Sequence, residues 1–292
     1  GRKNLIINGG FDVWQRGTSF TNPSSNTYMA DRFFTAGARV ATTITKNTGV
    51  SVNGKVVNTL RIDATGADTW DFYQGIEDYQ TISGQEVTIS FWYKTNLSGV
   101  VCRHYSTGTY GSPLNSDSTW NKFEVTVTLP TLVGAGGGAN KTSFGWWAAS
   151  GGVSAGSFLE IANFQLELGS VATDFEHRSY GEELALCQRY YQSSFKTGNV
   201  PGVSTDVLDA IHVVSWGDGN CMGFPFQGGM RASPTVVLRA QGSTTVGQVS
   251  SSGTARTASA LNTGDKQVSF LQVISGTANT YNRFTWTADA EL

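Results

Sequence analysis

Two segments of the chain alternate apolar and polar side chains at every second residue. The first, Val87–Tyr93, reads VTISFWY, and the second, Phe123–Leu129, reads FEVTVTL. Because successive side chains of a β-strand point to opposite faces of a sheet, this alternation predicts strands that bury one face and leave the other outside the core. Strands of this kind are typical of β-sandwiches and barrels.

Further short segments rich in β-branched and aromatic residues are predicted as strands, separated by turn signals such as Asn53-Gly54 and Ser83-Gly84. In the first part of the chain they are Val56–Ile62, Val100–Tyr105, Phe144–Trp147, Phe158–Ile161 and Phe164–Leu168. In the second part they are Arg189–Phe195, Leu208–Trp216, Cys221–Phe226, Thr235–Ala240, Val268–Ile274 and Tyr281–Trp286. The pattern predicts an all-β protein with an N-terminal sandwich.

One helical signal interrupts the strands. Ser179-Tyr180-Gly181-Glu182 fits a capping box, and Glu182–Gln188 is rich in good helix formers. We therefore predict a domain at residues 1–178, a short linking helix at 179–189 and a smaller C-terminal β domain at 190–292. Within the last of these, Gln241–Asp265 consists almost wholly of small polar residues and indicates a long loop or a polar hairpin.

Composition excludes several classes of partner. Hydrophobic residues make up 39% of the chain, enough for a packed core, while charged residues make up only 14% and the net charge is −2. Without a basic field we expect no binding of nucleic acid, and without a run of about 18 apolar residues we expect no insertion into a membrane. The odd set Cys102, Cys187 and Cys221 favours a reducing cytosol over a disulfide framework. The start at Gly1, without Met, indicates a cut or processed terminus.

Several segments resemble those of tail-fibre and receptor-binding proteins of tailed bacteriophages. Asn4–Gly17 reads NLIINGGFDVWQRG and is followed by YMADRF at Tyr28–Phe33. At the predicted junction, Phe164–Arg178 reads FQLELGSVATDFEHR and runs into GEELALCQRYY at Gly181–Tyr191. Near the end, Met230–Thr235 reads MRASPT. These motifs mark the scaffold and carry no catalytic chemistry themselves.

The resemblance implies an N-terminal jelly roll similar to carbohydrate-binding modules, and homotrimeric assembly. It also implies a virion protein, assembled in the host cytoplasm, whose partners are other virion structural proteins and a glycan on the host surface. Similar modules occur on fibres of the capsid surface, so a decoration protein with a structural role is the alternative.

The motifs place charges in apolar surroundings. We interpret Asn8-Gly9-Gly10-Phe11 as a turn in which the glycines supply positive φ. The charged or titratable residues of the motifs are interpreted as buried or half-buried pairs that tie the first and last strands together: Arg16, Asp31, Arg32, Glu176, His177 and Arg178. The alternative is a structural calcium ion held by carboxylates such as Asp12 and Asp174. Apart from that ion, no cofactor is expected.

The sequence offers only weak candidates for a set of catalytic residues. Glycoside hydrolysis needs two carboxylates about 5–10 Å apart, and the nearest candidate is the cluster Asp68, Asp71, Glu77 and Asp78. Solvated turn acids explain this cluster better, and the three histidines lack a nucleophile motif. Gly134–Ala139 superficially matches a dinucleotide fingerprint, but no helix is predicted after it, so we interpret it as a loop. The chain is therefore predicted not to be an enzyme.

Aromatic residues, 12% of the chain, are the most informative class. Rings stack on the C–H faces of sugars while polar neighbours bond the hydroxyls. We assign Trp14, Phe91, Tyr93, Phe123 and Phe164 to the core. The predicted ligand rings are Trp92, on the polar face of its strand, Trp70 and Tyr73, in a polar loop, and Tyr105. One ring of Trp146-Trp147 must also lie off the core.

The sequence thus predicts a virion surface adhesin that binds host glycan without cleaving it. A glycan hydrolase and a structural spacer without a ligand are the alternatives that experiments must separate.

Overall fold

The computed structural model describes residues 3–77, 79–105, 108–131, 142–203, 210–216, 219–274 and 278–291. The chain forms two compact units. The first extends to Trp14 and resumes over Thr18–Glu183, and the second contains Gln15–Gly17 and Leu184–Glu291. Gln15–Gly17 thus joins the second unit, whereas the sequence analysis assigned it to the first domain. No helix of the described residues is long and apolar enough to cross a membrane.

The first unit is a jelly-roll sandwich of two antiparallel sheets. Sheet I has the strand order β1-β3-β4-β11-β6-β9, formed by Ser19–Thr21, Thr42–Val52, Lys55–Ala64, Phe158–Leu168, Glu86–Thr95 and Asn121–Thr128. Sheet II has the order β2-β5-β10-β7-β8, formed by Phe33–Thr35, Asp68–Ile76, Thr142–Val153, Val101–His104 and Gly108–Tyr110. The predicted all-β class is confirmed.

The predicted alternation builds the core between the sheets. In β6, Val87, Ile89, Phe91 and Tyr93 are buried in this core, and the predicted core rings Trp14, Phe123 and Phe164 join them. Asn53-Gly54 forms the predicted turn between β3 and β4, with both residues at positive φ. β5 was missed: Trp70 and Tyr73 had been assigned to a polar loop, but Asp68–Ile76 is a strand with Trp70, Phe72 and Ile76 in the core. Trp70 donates its indole N–H to Thr42 Oγ1 at 3.0 Å.

The Asn8–Phe11 turn works differently from the prediction. Asn8 and Phe11 take positive φ, at 59° and 56°. Glycine is required at position 9 because the backbone of β11 approaches it closely. A Cβ there would lie 2.1 Å from the carbonyl oxygen of Phe164. The Gly9 carbonyl accepts a hydrogen bond from the Phe164 N–H at 2.9 Å. The turn is therefore held directly against β11.

Arg178 ties the start of the chain to the junction. Its guanidinium donates to the carbonyls of Asn4, at 2.6 Å, and Ile6, at 3.2 Å. The same group pairs with Glu176 at 2.8 Å and with Glu183 at 3.3 Å. The predicted role of Glu176 and Arg178 as structural pairs is confirmed. His177 is the exception, because its side chain is exposed.

The helix α1 spans Tyr180–Gln188, and the boundary between the two units falls inside it. The predicted capping box is confirmed. Glu182 accepts a hydrogen bond from the Ser179 N–H at 2.9 Å, and the Glu182 N–H reaches Ser179 Oγ at 3.3 Å. Hydrogen bonds from the Ser179 hydroxyl, at 2.8 Å, and from the Ser179 N–H lower the pKa of the Glu182 carboxyl.

Replacing Ser179 with Ala is expected to destabilise α1 by about 1 kcal/mol, because an alanine cap leaves a backbone donor of the first turn without its partner. Limited proteolysis should then cleave the junction faster than in the wild type. Ser179→Asp is the matched control, because Asp caps equally well. Equal cleavage of all three proteins would contradict the role of the cap.

The second unit is built on sheet III, with the order β12-β19-β13-β14-β18-β17-β16 and with β15 paired to β19. Its strands are β12 Tyr191–Ser193, β13 Ile211–Trp216, β14 Asn220–Pro225, β15 Thr235–Ala240, β16 Gln248–Ser251, β17 Thr254–Thr263, β18 Gln267–Val273 and β19 Tyr281–Asp289. A pairing of β16 with β19 closes the path into a ring. Gln241–Asp265 contains the β16–β17 hairpin, which confirms the second alternative for this segment.

A row of exposed apolar side chains crosses sheet III. Val214 lies opposite Tyr281, and Phe270 lies opposite both Met222 and Leu261. Ser215 pairs with Cys221, which brings Val214 and Met222 to neighbouring positions. These five residues, Tyr281, Val214, Met222, Phe270 and Leu261, form what we call the apolar row. Met222 is 70% exposed, and the other four members are exposed as well.

Candidate functional site

Trp92 lies in a cleft on the outer face of sheet I. The cleft has about 570 Å³ of empty space and is open to solvent. It is lined by Val52, Asn53, Lys55, Ser90, Phe91, Trp92, Lys122, Asn163, Thr173, Asp174, Phe175 and His177. We call it the Trp92 cleft. Its floor is formed by strands of sheet I, and Thr173–His177 forms one wall.

The strand period explains the position of Trp92. Phe91 and Tyr93 point into the core, so Ser90 and Trp92 point away from it. Trp92 is half-buried, as predicted for a ring on the polar face of its strand. On the wall, Phe175 and His177 make an edge-to-face contact with ring centroids 4.9 Å apart. The cleft therefore combines a floor ring with two wall rings.

Most polar side chains of the Trp92 cleft are not used by the protein. Among the described residues, the side chains of Asn53, Lys55, Asn163 and Asp174 have no hydrogen-bond or ion-pair partner. Lys122 differs, because it pairs with Glu124 on its own strand. Two amides, an ammonium and a carboxylate are thus available to a ligand, beside aromatic faces.

Two irregular backbone positions aim the amides into the cleft. Asn53 lies in the β3–β4 turn with φ 46°. Asn163 has φ 53° and lies where the β11–β6 register shifts between Ala162 and Gln165. A bulge of this kind redirects a side chain out of the regular alternation, and bulges are enriched beside functional sites.

A second cavity adjoins the Trp92 cleft. It is lined by Gly10, Asp12, Gly49, Val56, Val57, Asn58, Asn163 and His177, and we call it the Asn58 cavity. Asn163 and His177 line both spaces. Asn58 Nδ2 donates to Asp12 Oδ1 at 2.6 Å. The outer face of sheet I therefore carries two neighbouring concave spaces.

The four predicted ligand rings do not converge. Trp92 belongs to sheet I, whereas Trp70, Tyr73 and Tyr105 belong to sheet II or follow it. Trp70 is only 1% exposed in the core and Tyr73 is 0% exposed, so neither ring can stack on a sugar in this conformation. This corrects the prediction for both residues, whose supposed loop is the strand β5.

Tyr105 and Tyr73 form a separate aromatic cluster on the outer face of sheet II. Their ring centroids lie 5.3 Å apart in an edge-to-face contact, and Phe34 packs on Tyr73 from the neighbouring strand. Tyr105 is 40% exposed and covers Tyr73. Burial and the nearby Asp71 carboxylate raise the pKa of the Tyr73 hydroxyl. The Tyr73 hydroxyl and Asp71 Oδ1 are nevertheless both buried without a hydrogen-bond partner.

The predicted calcium ligands line different spaces. Asp12 lines the Asn58 cavity and Asp174 lines the Trp92 cleft. Among the described residues, no group of three His, Cys, Asp or Glu side chains is arranged to hold a metal ion. The calcium ion remains a prediction without a supporting cluster.

Asp68, one member of the acidic cluster considered for hydrolysis, has a structural role. Burial opposes its charge, but hydrogen bonds from Thr42 Oγ1 and three backbone N–H groups lower the pKa of Asp68. Asp78 and the segment Gly134–Ala139 lie outside the described residues. His104 is buried and bonded to Thr142, and burial lowers its pKa to about 4. It is therefore a neutral structural residue at neutral pH.

Sequence reasoning missed Asn53, Lys55, Asn163, Phe175 and His177 as members of a site. Asn53-Gly54 was recognised only as a turn, and His177 only as a structural residue. The one signal in the sequence was the polarity of four of them, all but Phe175, beside apolar strands. Trp147, in contrast, lies half-buried off the core with Arg103 over its ring, as predicted for one of the two tryptophans.

No protein-family model and no curated protein sequence matches the chain. The enzymatically active domain of tailspike protein 4 of bacteriophage CBA120 matches 52% of this chain at 15% identity with a TM-score of 0.36. This match covers only 21% of the tailspike chain.

Two further solved structures illustrate the range of matches. TmCBM61 in complex with β-1,4-galactotriose matches 57% of this chain and 100% of its own, at 13% identity and a TM-score of 0.36. A cyclase from Fischerella matches 59% of this chain and 100% of its own, at 10% identity and a TM-score of 0.36. At these identities and TM-scores, we infer neither ligand nor activity from the similarities.

Proposed function

We propose that the chain binds carbohydrate without cleaving it, and that the Trp92 cleft is the binding site. The observation that carries the proposal is a half-buried Trp ring beside polar side chains that have no partner in the protein. Sugar recognition combines apolar C–H faces with many hydroxyls, so it needs a ring and free hydrogen-bonding groups together. Asn53, Asn163 and Asp174 supply those groups.

The setting that we propose for this binding is the surface of a bacteriophage, with a host glycan as the receptor. Support comes from the tail-fibre-like segments of the sequence, above all Asn4–Gly17 and Phe164–Tyr191. In the structure these segments contact each other through the Gly9–Phe164 hydrogen bond and through Arg178, which donates to the Asn4 carbonyl.

We further propose that the chain forms a homotrimer through the apolar row of the second unit. The resemblance implied homotrimeric assembly, and the second unit has a core of its own around Leu238, Phe284 and Trp286. The apolar row supports this assembly, because contiguous exposed apolar residues mark interaction surfaces. Three chains would multiply a weak single-site affinity by on the order of 100-fold or more.

Binding of the whole purified chain to an array of bacterial surface polysaccharides tests the proposed function. We expect saturable retention of a subset of glycans and no release of reducing sugar from them over hours. Release of reducing ends that is lost in Asp174→Asn would favour a hydrolase instead. Retention of no glycan, combined with stable incorporation into particles, would favour a structural spacer of the capsid or fibre.

A further inference from the structure

We infer that the Trp92 cleft and the Asn58 cavity are two halves of one groove, which accommodates a chain of at least two sugar units, with a neutral unit in the Asn58 cavity. The inference rests on the proposed function and specifies its ligand class. Its first basis is adjacency: Asn163 and His177 line both spaces, so the two spaces meet at these two side chains. A linear molecule that crosses Asn163 and His177 would contact both spaces.

The second basis is the difference in chemistry between the two halves. The Trp92 cleft offers the rings of Trp92, Phe175 and His177, which suit the stacking of one sugar. Apart from the shared His177, the Asn58 cavity offers no ring. It presents Asp12 and Asn58 beside the aliphatic Val56 and Val57. The second sugar would thus be held through its hydroxyls rather than by stacking.

The hydrogen bond between Asn58 and Asp12 determines which hydrogen-bonding atoms the Asn58 cavity presents to a ligand. Asn58 Nδ2 donates to Asp12 Oδ1, which orients the amide. The remaining Asn58 carbonyl oxygen and the other Asp12 oxygen are acceptors. Acceptors of this kind bind hydroxyl donors and repel carboxylates, so a neutral sugar suits this end of the groove.

The backbone is irregular on both sides of the groove. Asn163 lies at the register shift of β11, and Gly49 lies at the shift between Asn47 and Val50 where β3 pairs with β4. Gly49 has φ 71°, and a Cβ at this position would meet no atom within 4 Å. Two bulges in sheet I therefore border the same groove, and each departs from the flat surface that an uninterrupted sheet would present.

Calorimetric titration of the full chain tests the inference. The probes are β-1,4-linked gluco-, xylo-, galacto- and manno-oligosaccharides of one to six units, together with fragments released from bacterial O-polysaccharides by mild acid. For a series that binds, we expect the affinity to rise about tenfold between one and three units, as about one or two net hydrogen bonds provide.

Two variants locate this gain. Asn58→Ala should remove this tenfold gain in affinity, which corresponds to about 1.4 kcal/mol. It should keep the affinity for a single sugar unit within about twofold. Val56→Trp, at a side chain 75% exposed, should narrow the cavity with the same effect and little consequence for folding. Lys94→Ala is the matched control, because Lys94 lies on the outer face of β6 and lines neither space.

The outcomes distinguish failure of the two-part groove from failure of the proposed function. Binding without a gain in affinity beyond one unit, or a gain that survives both variants, would overturn the two-part groove and leave the proposed function intact. Absence of binding to every probe would overturn the proposed function and the groove with it.

Discussion

Trp92→Ala is expected to lower glycan affinity by about tenfold or more, because burying an aromatic side chain against a ligand contributes about 1.5–3 kcal/mol. Trp92 is half-buried on the outer face of β6 and takes no part in the core. The variant should therefore fold normally and keep its oligomeric state. Calorimetric titration with the glycans retained by the wild type, together with thermal unfolding, measures both properties.

Two further variants decide what a loss of binding means. Tyr180→Ala is the control, because this exposed ring begins α1 and lies outside the cleft. Tyr105→Ala tests the outer face of sheet II, where the Tyr105 ring is 40% exposed. If Tyr105→Ala abolishes binding and Trp92→Ala does not, the binding site belongs to sheet II. If Trp92→Ala dissociates the oligomer, the ring belongs to a subunit interface.

Met222→Glu is expected to convert the proposed homotrimer into monomers. Met222 lies at the centre of the apolar row, opposite Phe270, and its side chain is 70% exposed in the single chain. A carboxylate therefore costs little in the monomer, whereas its burial without a partner in an interface costs several kcal/mol. Light scattering or native mass spectrometry at micromolar concentration measures the change.

Val246→Glu is the matched control for this experiment. Val246 is an exposed apolar residue of the same unit, outside the apolar row, and its replacement should leave the trimer intact. A wild-type protein that is already monomeric would refute the proposed trimer. A trimer that survives Met222→Glu would place the contact elsewhere on the chain.

Local pattern predicted most of the scaffold. Alternation in Val87–Tyr93 fixes both the buried face of β6 and the position of Trp92 off the core, because the period of a strand is a property of the backbone. The capping box at Ser179 and the turn at Asn53-Gly54 are also local, since each is completed within a few residues. These features were therefore readable without knowledge of the fold.

Features that depend on residues distant in sequence could not be predicted from the local pattern. β5 contains Asp68, Asp71 and Gly75, so its composition suggests a loop; packing of Trp70 and Phe72 in the core makes it a strand. Phe34 and Tyr105, both distant in sequence, pack against the buried Tyr73 ring. The Trp92 cleft likewise depends on Thr173–His177 lying beside β6, far away in sequence.

The contacts around Asn4 also set the order in which the first unit can be completed during synthesis. Asn4 Nδ2 donates to the Phe164 carbonyl across 160 residues, and Arg178 reaches the Asn4 carbonyl across 174. Within the first unit, this segment is thus synthesised before its partners and can pair with them only after they are made. Long-range pairing of this kind slows folding and leaves strand edges open in the meantime. The nascent sandwich must remain unaggregated until Glu183, which accepts a hydrogen bond from the Asn8 N–H, has been translated.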